Sequence, residues 1–133
     1  MYAICDTHVL LFWADQPKRL SKAARTAVAH GIDAGSLACA DISLWEISML
    51  YARGRINNQA GVTAADYIRD ILAAMALTVL PITAEIAELA QGSFFTHGDP
   101  ADRLIAATAL VHRVPLLSAD EHLRVAPGLR CIW

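Results

Sequence analysis

A three-layer α/β domain, with helices on both faces of a central parallel sheet of four to five strands, is the fold class the sequence predicts. Three observations predict it. Short apolar runs recur without clean two-residue alternation, as strands buried on both faces of a parallel sheet require. Segments with helical spacing of their apolar residues stand between those runs, and strand–helix alternation of this kind belongs to α/β architectures. Capping residues mark the boundaries.

Along the chain, the run Tyr2 to Cys5 predicts the first strand and His8 to Ala14 the first helix. Ser21 precedes Lys22-Ala23-Ala24 as the cap of a helix over Ser21 to His30, with Gly31 as its stop. The second strand falls on Leu37 to Ala40, and a helix over Ser43 to Arg53 follows it, ended by Gly54. Thr63 opens Ala64-Ala65-Asp66 as a capping box for a helix to Ala76. Leu77 to Ile82 predicts the third strand and Thr83 to Gly92 the next helix. Asp99-Pro100 supplies a cap followed by proline at the first helical position of Ala101 to Arg113. Leu116 to Ser118 and Leu129 to Trp133 complete the set of strands.

A length of 133 residues fits one domain, residues 1–133. Hydrophobic residues make up 56% of the chain and charged residues only 18%, with a mean hydropathy of +0.39, which excludes disorder for the bulk of it. The longest charge-free stretch, Ile71 to Ala84, has 14 residues and contains Pro81, too short for a bilayer, so no membrane role is expected. No basic, apolar and cleavable leader opens the sequence, and the expected location is cytoplasmic. Cys5, Cys39 and Cys131 are odd in number, widely spaced and set in apolar runs, so they read as buried thiols.

Thirteen acids are few for this length, and their positions are informative. Asp6 follows the first strand and Asp120 the fourth, so both fall on the rim of strand C-termini where open α/β folds place ligand crevices. Glu46 has Ile42, Met49 and Leu50 as helical neighbours, which turns a carboxylate inward. Asp102, third in its helix, continues into the stripe Ile105, Ala106 and Ala109 and also points at the sheet. Taken singly, Asp6, Asp99 and Asp120 could be helix caps and Asp102 a dipole partner. Taken together they lack a matching cluster of bases, Arg103 being the one adjacent cation. Carboxylates crowded at about 5 Å repel by about 3 kcal/mol per pair at an effective dielectric near 20. A cation should sit among them, and an oxygen-only donor set favours Mg²⁺ or Mn²⁺ over zinc.

Four stretches then stand in order: Asp6-Thr7-His8 after an apolar strand; Ser43-Leu44-Trp45-Glu46-Ile47 with Arg53-Gly54-Arg55 behind it; His97-Gly98-Asp99-Pro100-Ala101-Asp102-Arg103-Leu104-Ile105-Ala106-Ala107-Thr108-Ala109; and Leu117-Ser118-Ala119-Asp120. Together they resemble the PIN-domain ribonucleases, and within them the VapC toxins of bacterial toxin–antitoxin pairs. The resemblance extends from about Tyr2 to the C-terminus. It implies a PIN-like fold and a metal-binding, catalytic quartet of Asp6, Glu46, Asp102 and Asp120, supported by the hydroxyls of Thr7 and Ser118. Asp99 matches the family's Asp-Pro-x-Asp-Arg pattern and reads as a cap that also supports the site. Asp41 departs from the pattern, which has a small or hydroxyl residue there, and reads as a surface acid.

The resemblance also implies Mg²⁺- or Mn²⁺-dependent hydrolysis of RNA of the tRNA or rRNA class by a metal-activated water, leaving 5′-phosphate and 3′-hydroxyl ends. It implies a small antitoxin that covers the acidic pocket, and a homodimer. Tyr51, Ile56, Phe94 and Phe95 are candidate apolar contacts for those partners. Setting the four acids aside leaves nine against eleven Lys plus Arg, so a net charge of −2 still permits an RNA-attracting surface. Lys18, Arg19, Lys22, Arg25, Arg53 and Arg55 are candidate phosphate contacts, and Trp13 and Trp45 are candidates for base stacking or core packing. Rival readings are a metal-free reaction by His8 and His97 as acid and base, a PIN-fold RNA-processing nuclease without an antitoxin, and a non-catalytic binding module. The last of these would not need all four acids.

Overall fold

The computed structural model describes residues 1–56, 59–92 and 98–133. Five strands, β1 (Ala3–Cys5), β2 (Leu37–Ala40), β3 (Thr78–Leu80), β4 (Leu116–Leu117) and β5 (Cys131–Ile132), form one sheet in the order β3-β2-β1-β4-β5. Every pairing is parallel, with Ile4 opposite both Ala38 and Leu116. The helices are α1 (Thr7–Asp15), α2 (Lys22–Ala34), α3 (Ile42–Ala52), α4 (Ala64–Ala74), α5 (Ala84–Leu89), α6 (Pro100–His112) and α7 (Glu121–Arg124). A 3₁₀ turn, Pro17–Arg19, joins α1 to α2.

Because side chains alternate across a strand, each face of the sheet carries its own core. Ile4, Ala38, Ala40 and Leu116 pack with Ile86 of α5, Ile105 of α6 and Leu123 of α7. Ala3, Cys5, Leu37, Cys39 and Leu117 pack on the other side with Val9 of α1, Val28 of α2, Ile47 of α3 and Ile71 of α4. This is the three-layer arrangement with a five-stranded parallel sheet. The thiols of Cys5 and Cys39 are buried and that of Cys131 half-buried, and all three are free.

Caps hold where the sequence places them: Ser21 accepts from Ala24 N–H at 3.0 Å and Asp99 from Ala101 N–H at 2.9 Å. Thr63 accepts from Asp66 N–H at 3.1 Å, while the Asp66 carboxylate pairs with Arg69 at 3.2 Å. The predicted stop at Gly31 is wrong. Helix α2 runs on to Ala34 and ends at Gly35, whose φ of 62° is the left-handed conformation glycine adopts without penalty. Gly31 is instead a close-packing residue, since a Cβ there would fall 2.4 Å from the Leu37 side chain. The third strand is shorter than its apolar run because Pro81 has no N–H to continue the ladder. Tyr51 is buried at 8% exposure, not a surface contact, and its hydroxyl donates to the Val62 carbonyl. Trp45 is 59% exposed, whereas Trp13 packs against the core of the α1 side. Phe94, Phe95 and His97 lie outside the described residues.

From β1 the chain moves to β2 and β3 on one side, and later to β4 on the other. The C-terminal ends of β1 and β4 therefore flank the point where strand order reverses, the place for a crevice in an open α/β sheet. Asp6 follows one of these ends and Ser118 the other.

Candidate active site

Asp6 leaves β1 and caps α1, its Oδ1 accepting from Thr7 N–H at 2.8 Å. Its Oδ2 accepts from the Ser118 hydroxyl at 2.7 Å and lies 3.4 Å from Nδ1 of His8. Burial pushes the Asp6 carboxyl above the usual carboxylate range and the Asp120 charge pushes the same way, against the pull of His8, Ser118 and Thr7. Asp120 reaches this point from the other strand end. Its N–H donates to Ser118 Oγ at 3.0 Å, and its carboxylate caps α7 by accepting from His122 N–H at 2.9 Å.

Thr7 joins Asp6 to the next acid. Its hydroxyl donates to Glu46 Oε1 at 2.5 Å and lies 2.9 Å from the hydroxyl of buried Ser43. Glu46 comes from the second turn of α3 and is half-buried, as its apolar stripe predicts. Burial raises its carboxyl, helped by the charges of Asp6 and Asp99, while Thr7 pulls it down. Glu46, Asp99 and Asp102 each offer a carboxylate oxygen, and these oxygens lie within 4.8 Å of one another. Contacts and charges thus link five carboxylates in sequence along the rim: Asp120 to Asp6, Asp6 to Glu46, and Glu46 to Asp99 and Asp102.

Across residues 3–129, close to the whole chain, the sequence matches the PIN domain. The chain belongs to the PIN-domain family. Within that family it is 36% identical over 126 residues to ribonuclease VapC22 of Mycobacterium tuberculosis, covering 91% of this chain and 88% of the relative. The PIN fold also aligns with a solved structure of VapBC2 from Rickettsia felis bound to a DNA fragment, at a TM-score of 0.73 and 13% identity, over 98% of this chain and 97% of that one. A DNA-bound VapBC structure from Salmonella typhimurium aligns at a TM-score of 0.69 and 16% identity, over 98% and 96%.

In this PIN domain the acids Asp6, Glu46, Asp102 and Asp120 converge on the rim with Thr7 and Ser118 between them. Asp99 does more than cap α6, since it shares an oxygen cluster with Glu46 and Asp102. The signal was its spacing, three residues before Asp102 and so on the same side of the helix start. Asp41 is not a surface acid. It is half-buried, its Oδ2 accepting from Ile82 N–H at 3.0 Å and tying the exit of β2 to that of β3. Sequence reasoning also missed the place of His8: Ala119 N–H donates to its Nε2 at 2.9 Å.

The basic candidates are exposed and stand apart from the acids. Lys18 and Arg19 lie on the 3₁₀ turn, Lys22 and Arg25 at the start of α2, and Arg53 and Arg55 beyond α3. Arg19 and Arg55 line one cavity of about 690 Å³ that includes none of the rim acids, and the Arg19 guanidinium sits 4.2 Å over the Phe12 ring. Among the described residues no helix is long and apolar enough to cross a membrane.

Proposed function

We propose that the chain, acting as a single unit over residues 1–133, is a divalent-metal-dependent endoribonuclease and the toxin of a toxin–antitoxin pair. The observation that carries this reading is the convergence of five carboxylates from four parts of the chain, three with oxygens within 4.8 Å of one another. Oxygen donors alone, with two carboxyls held high by burial and by neighbouring carboxylates, match the demands of a hard divalent cation. Asp6, Glu46, Asp102 and Asp120 would hold such an ion, with Asp99 beside Glu46 and Asp102 in the same oxygen cluster. An Mg²⁺ or Mn²⁺ ion held there would lower the pKa of a water and offset charge on the phosphate. Thr7 and Ser118 hold the Glu46 and Asp6 carboxylates in place by donating to them. Attack of water on phosphorus with rupture of the P–O3′ bond, the departing 3′ oxygen taking up a proton, would leave a 5′-phosphate and a 3′-hydroxyl.

His8 speaks against the metal-free alternative. A histidine acting as general base needs a free ring nitrogen, and Nε2 already accepts the Ala119 amide while Nδ1 faces Asp6. The antitoxin and the RNA substrate rest on membership of the VapC branch, whose solved relatives include VapBC complexes. So do the homodimer and a cytoplasmic site of action.

The test incubates purified chain with tRNA and rRNA in Mg²⁺, in Mn²⁺ and in chelator, and types the ends produced. Cleavage that needs the ion and leaves ligatable 5′-phosphates is expected. Undiminished cleavage in chelator, or 2′,3′-cyclic phosphate ends, would overturn the metal-hydrolysis reading. Co-expression with the neighbouring gene should yield a complex in which cleavage is suppressed. Cleavage unaffected by saturating partner would leave a PIN nuclease without an antitoxin.

A further inference from the structure

His8 has both ring nitrogens engaged and aromatic rings packed beside it. Nε2 accepts the Ala119 N–H at 2.9 Å, and an N–H can be accepted only by a nitrogen with a free lone pair, so the ring proton resides on Nδ1. That proton faces Asp6 Oδ2 at 3.4 Å. Phe12 packs against the ring at a centroid distance of 5.4 Å and Trp133 meets it edge-on at 5.9 Å.

The two ends of this arrangement belong to different strands. Asp6 closes β1, whereas Ala119 stands between Ser118 and Asp120 in the loop that leaves β4. Ser118 already ties that loop to Asp6 through its hydroxyl, which donates to Asp6 and accepts from Asp120 N–H. Those two bonds hold Ser118 and Asp120 but do not engage the Ala119 amide between them. Like charges on Asp6 and Asp120 push the two strand ends apart. The imidazole supplies a second attachment, to the next amide along.

We propose that His8, fixed as the Nδ1–H tautomer, is a positioning residue that clamps the Ser118–Asp120 loop to Asp6 and so sets the spacing of the Asp6 and Asp120 carboxylates. This rests on the reading that those acids face the metal. Residues behind metal ligands commonly alter affinity on the order of 10- to 100-fold when removed.

Two variants divide the contacts. In His8→Gln the amide oxygen can reach the position of Nε2 and accept the Ala119 N–H. In His8→Asn the shorter side chain can face Asp6 but cannot reach Ala119. Two measurements are made on parent and both variants: Mn²⁺ binding by calorimetry, and exchange of the Ala119 amide in metal-free protein by NMR, with the ¹⁵N shifts of the His8 ring recorded for the parent. The parent should show the proton on Nδ1 and a protected Ala119 amide. His8→Gln should retain that protection and bind Mn²⁺ within about threefold of the parent. His8→Asn should lose the protection and bind on the order of 10- to 100-fold more weakly. A proton on Nε2, or an Ala119 amide equally protected in His8→Asn, overturns the clamp. So does His8→Asn binding Mn²⁺ as the parent does. If the parent binds no Mn²⁺, the metal reading fails instead, and the ring shifts and amide exchange still decide whether the clamp exists.

Discussion

At the scale of single residues, Thr7 gives its amide to Asp6 and its hydroxyl to Glu46, so one side chain sets the relation between a buried carboxylate and a half-buried one. Thr7→Val keeps the shape and the amide but removes the hydroxyl and strips a partner from buried Ser43. A loss of about 1–3 kcal/mol in thermal unfolding is expected, with a fall in cleavage rate at saturating Mg²⁺. An unchanged rate would mean that the orientation of Glu46 is not needed for the chemistry. The raised carboxyls lead to a second expectation. Asp6 and Glu46 are held above their ordinary 3.8 and 4.5 in the folded state, so the metal-free folded form binds more protons than the unfolded chain between those values and the raised ones. Their contribution to stability is therefore present below about pH 4 and is lost as pH rises through the raised values. In chelator, melting temperatures of the parent should fall relative to Asp6→Asn as pH rises toward neutrality, and Mg²⁺ should reverse the trend by binding the folded form. A parent-to-variant difference that stays flat with pH would contradict the burial cause. The placement of these acids on one rim was legible because acids are few and Glu46 interrupts an apolar stripe. The role of His8 was not, because its partner is a backbone amide 111 residues away and spacing says nothing about contacts of that kind.

Among elements, all five strands fall inside the apolar runs that predict them, and the helix starts agree to within a residue where a cap side chain marks them. Short pieces escaped: α7 has four residues and the 3₁₀ turn three, too few for a period to show. Gly31 misled because a glycine near a helix end reads as a stop, whereas packing against Leu37 is what requires it. The difference can be measured. By helix propensity alone Gly31→Ala should stabilise the protein by about 1 kcal/mol. With a Cβ only 2.4 Å from Leu37, it should instead destabilise by about 1–3 kcal/mol in denaturant unfolding. Asp99 is an element-scale residue with two functions that substitution separates. Asp99→Ala should lower stability by about 1 kcal/mol through the lost cap of α6, and Asp99→Asn should cost little because asparagine caps as well. Both should weaken Mn²⁺ binding if Asp99 belongs to the ion site. Unchanged binding in Asp99→Asn would confine the residue to capping.

Over the whole molecule, charge is segregated in a way that the net value of −2 conceals. With the five rim acids set aside, eight acids remain against eleven Lys plus Arg, so the rest of the chain is cationic. On the proposed reading, a polyanion is drawn to the basic surface while a divalent ion offsets part of the charge of the rim and lets it accept one phosphate. Arg19 and Arg55 share a cavity apart from the rim acids, lined also by Asp15, where the two cations can bind backbone phosphates without touching the reacting one. Contacts of this kind position the strand and carry no sequence information, so their loss should weaken all RNAs alike. For a labelled single-stranded RNA bound to the Asp102→Asn protein in Mg²⁺, the slope of log K against log salt should flatten by about 0.7 for each of Arg19→Ala and Arg55→Ala, and by about 1.4 for the pair. Arg19→Lys keeps the charge but loses the guanidinium over the Phe12 ring, so it should leave the slope as in the parent and affect only stability. In the cleavage-competent protein the same substitutions should slow cutting without moving the site. Slopes equal to the parent's in both alanine variants would place the RNA path elsewhere on the cationic surface, with Lys22 and Arg25 of α2 the next residues to test.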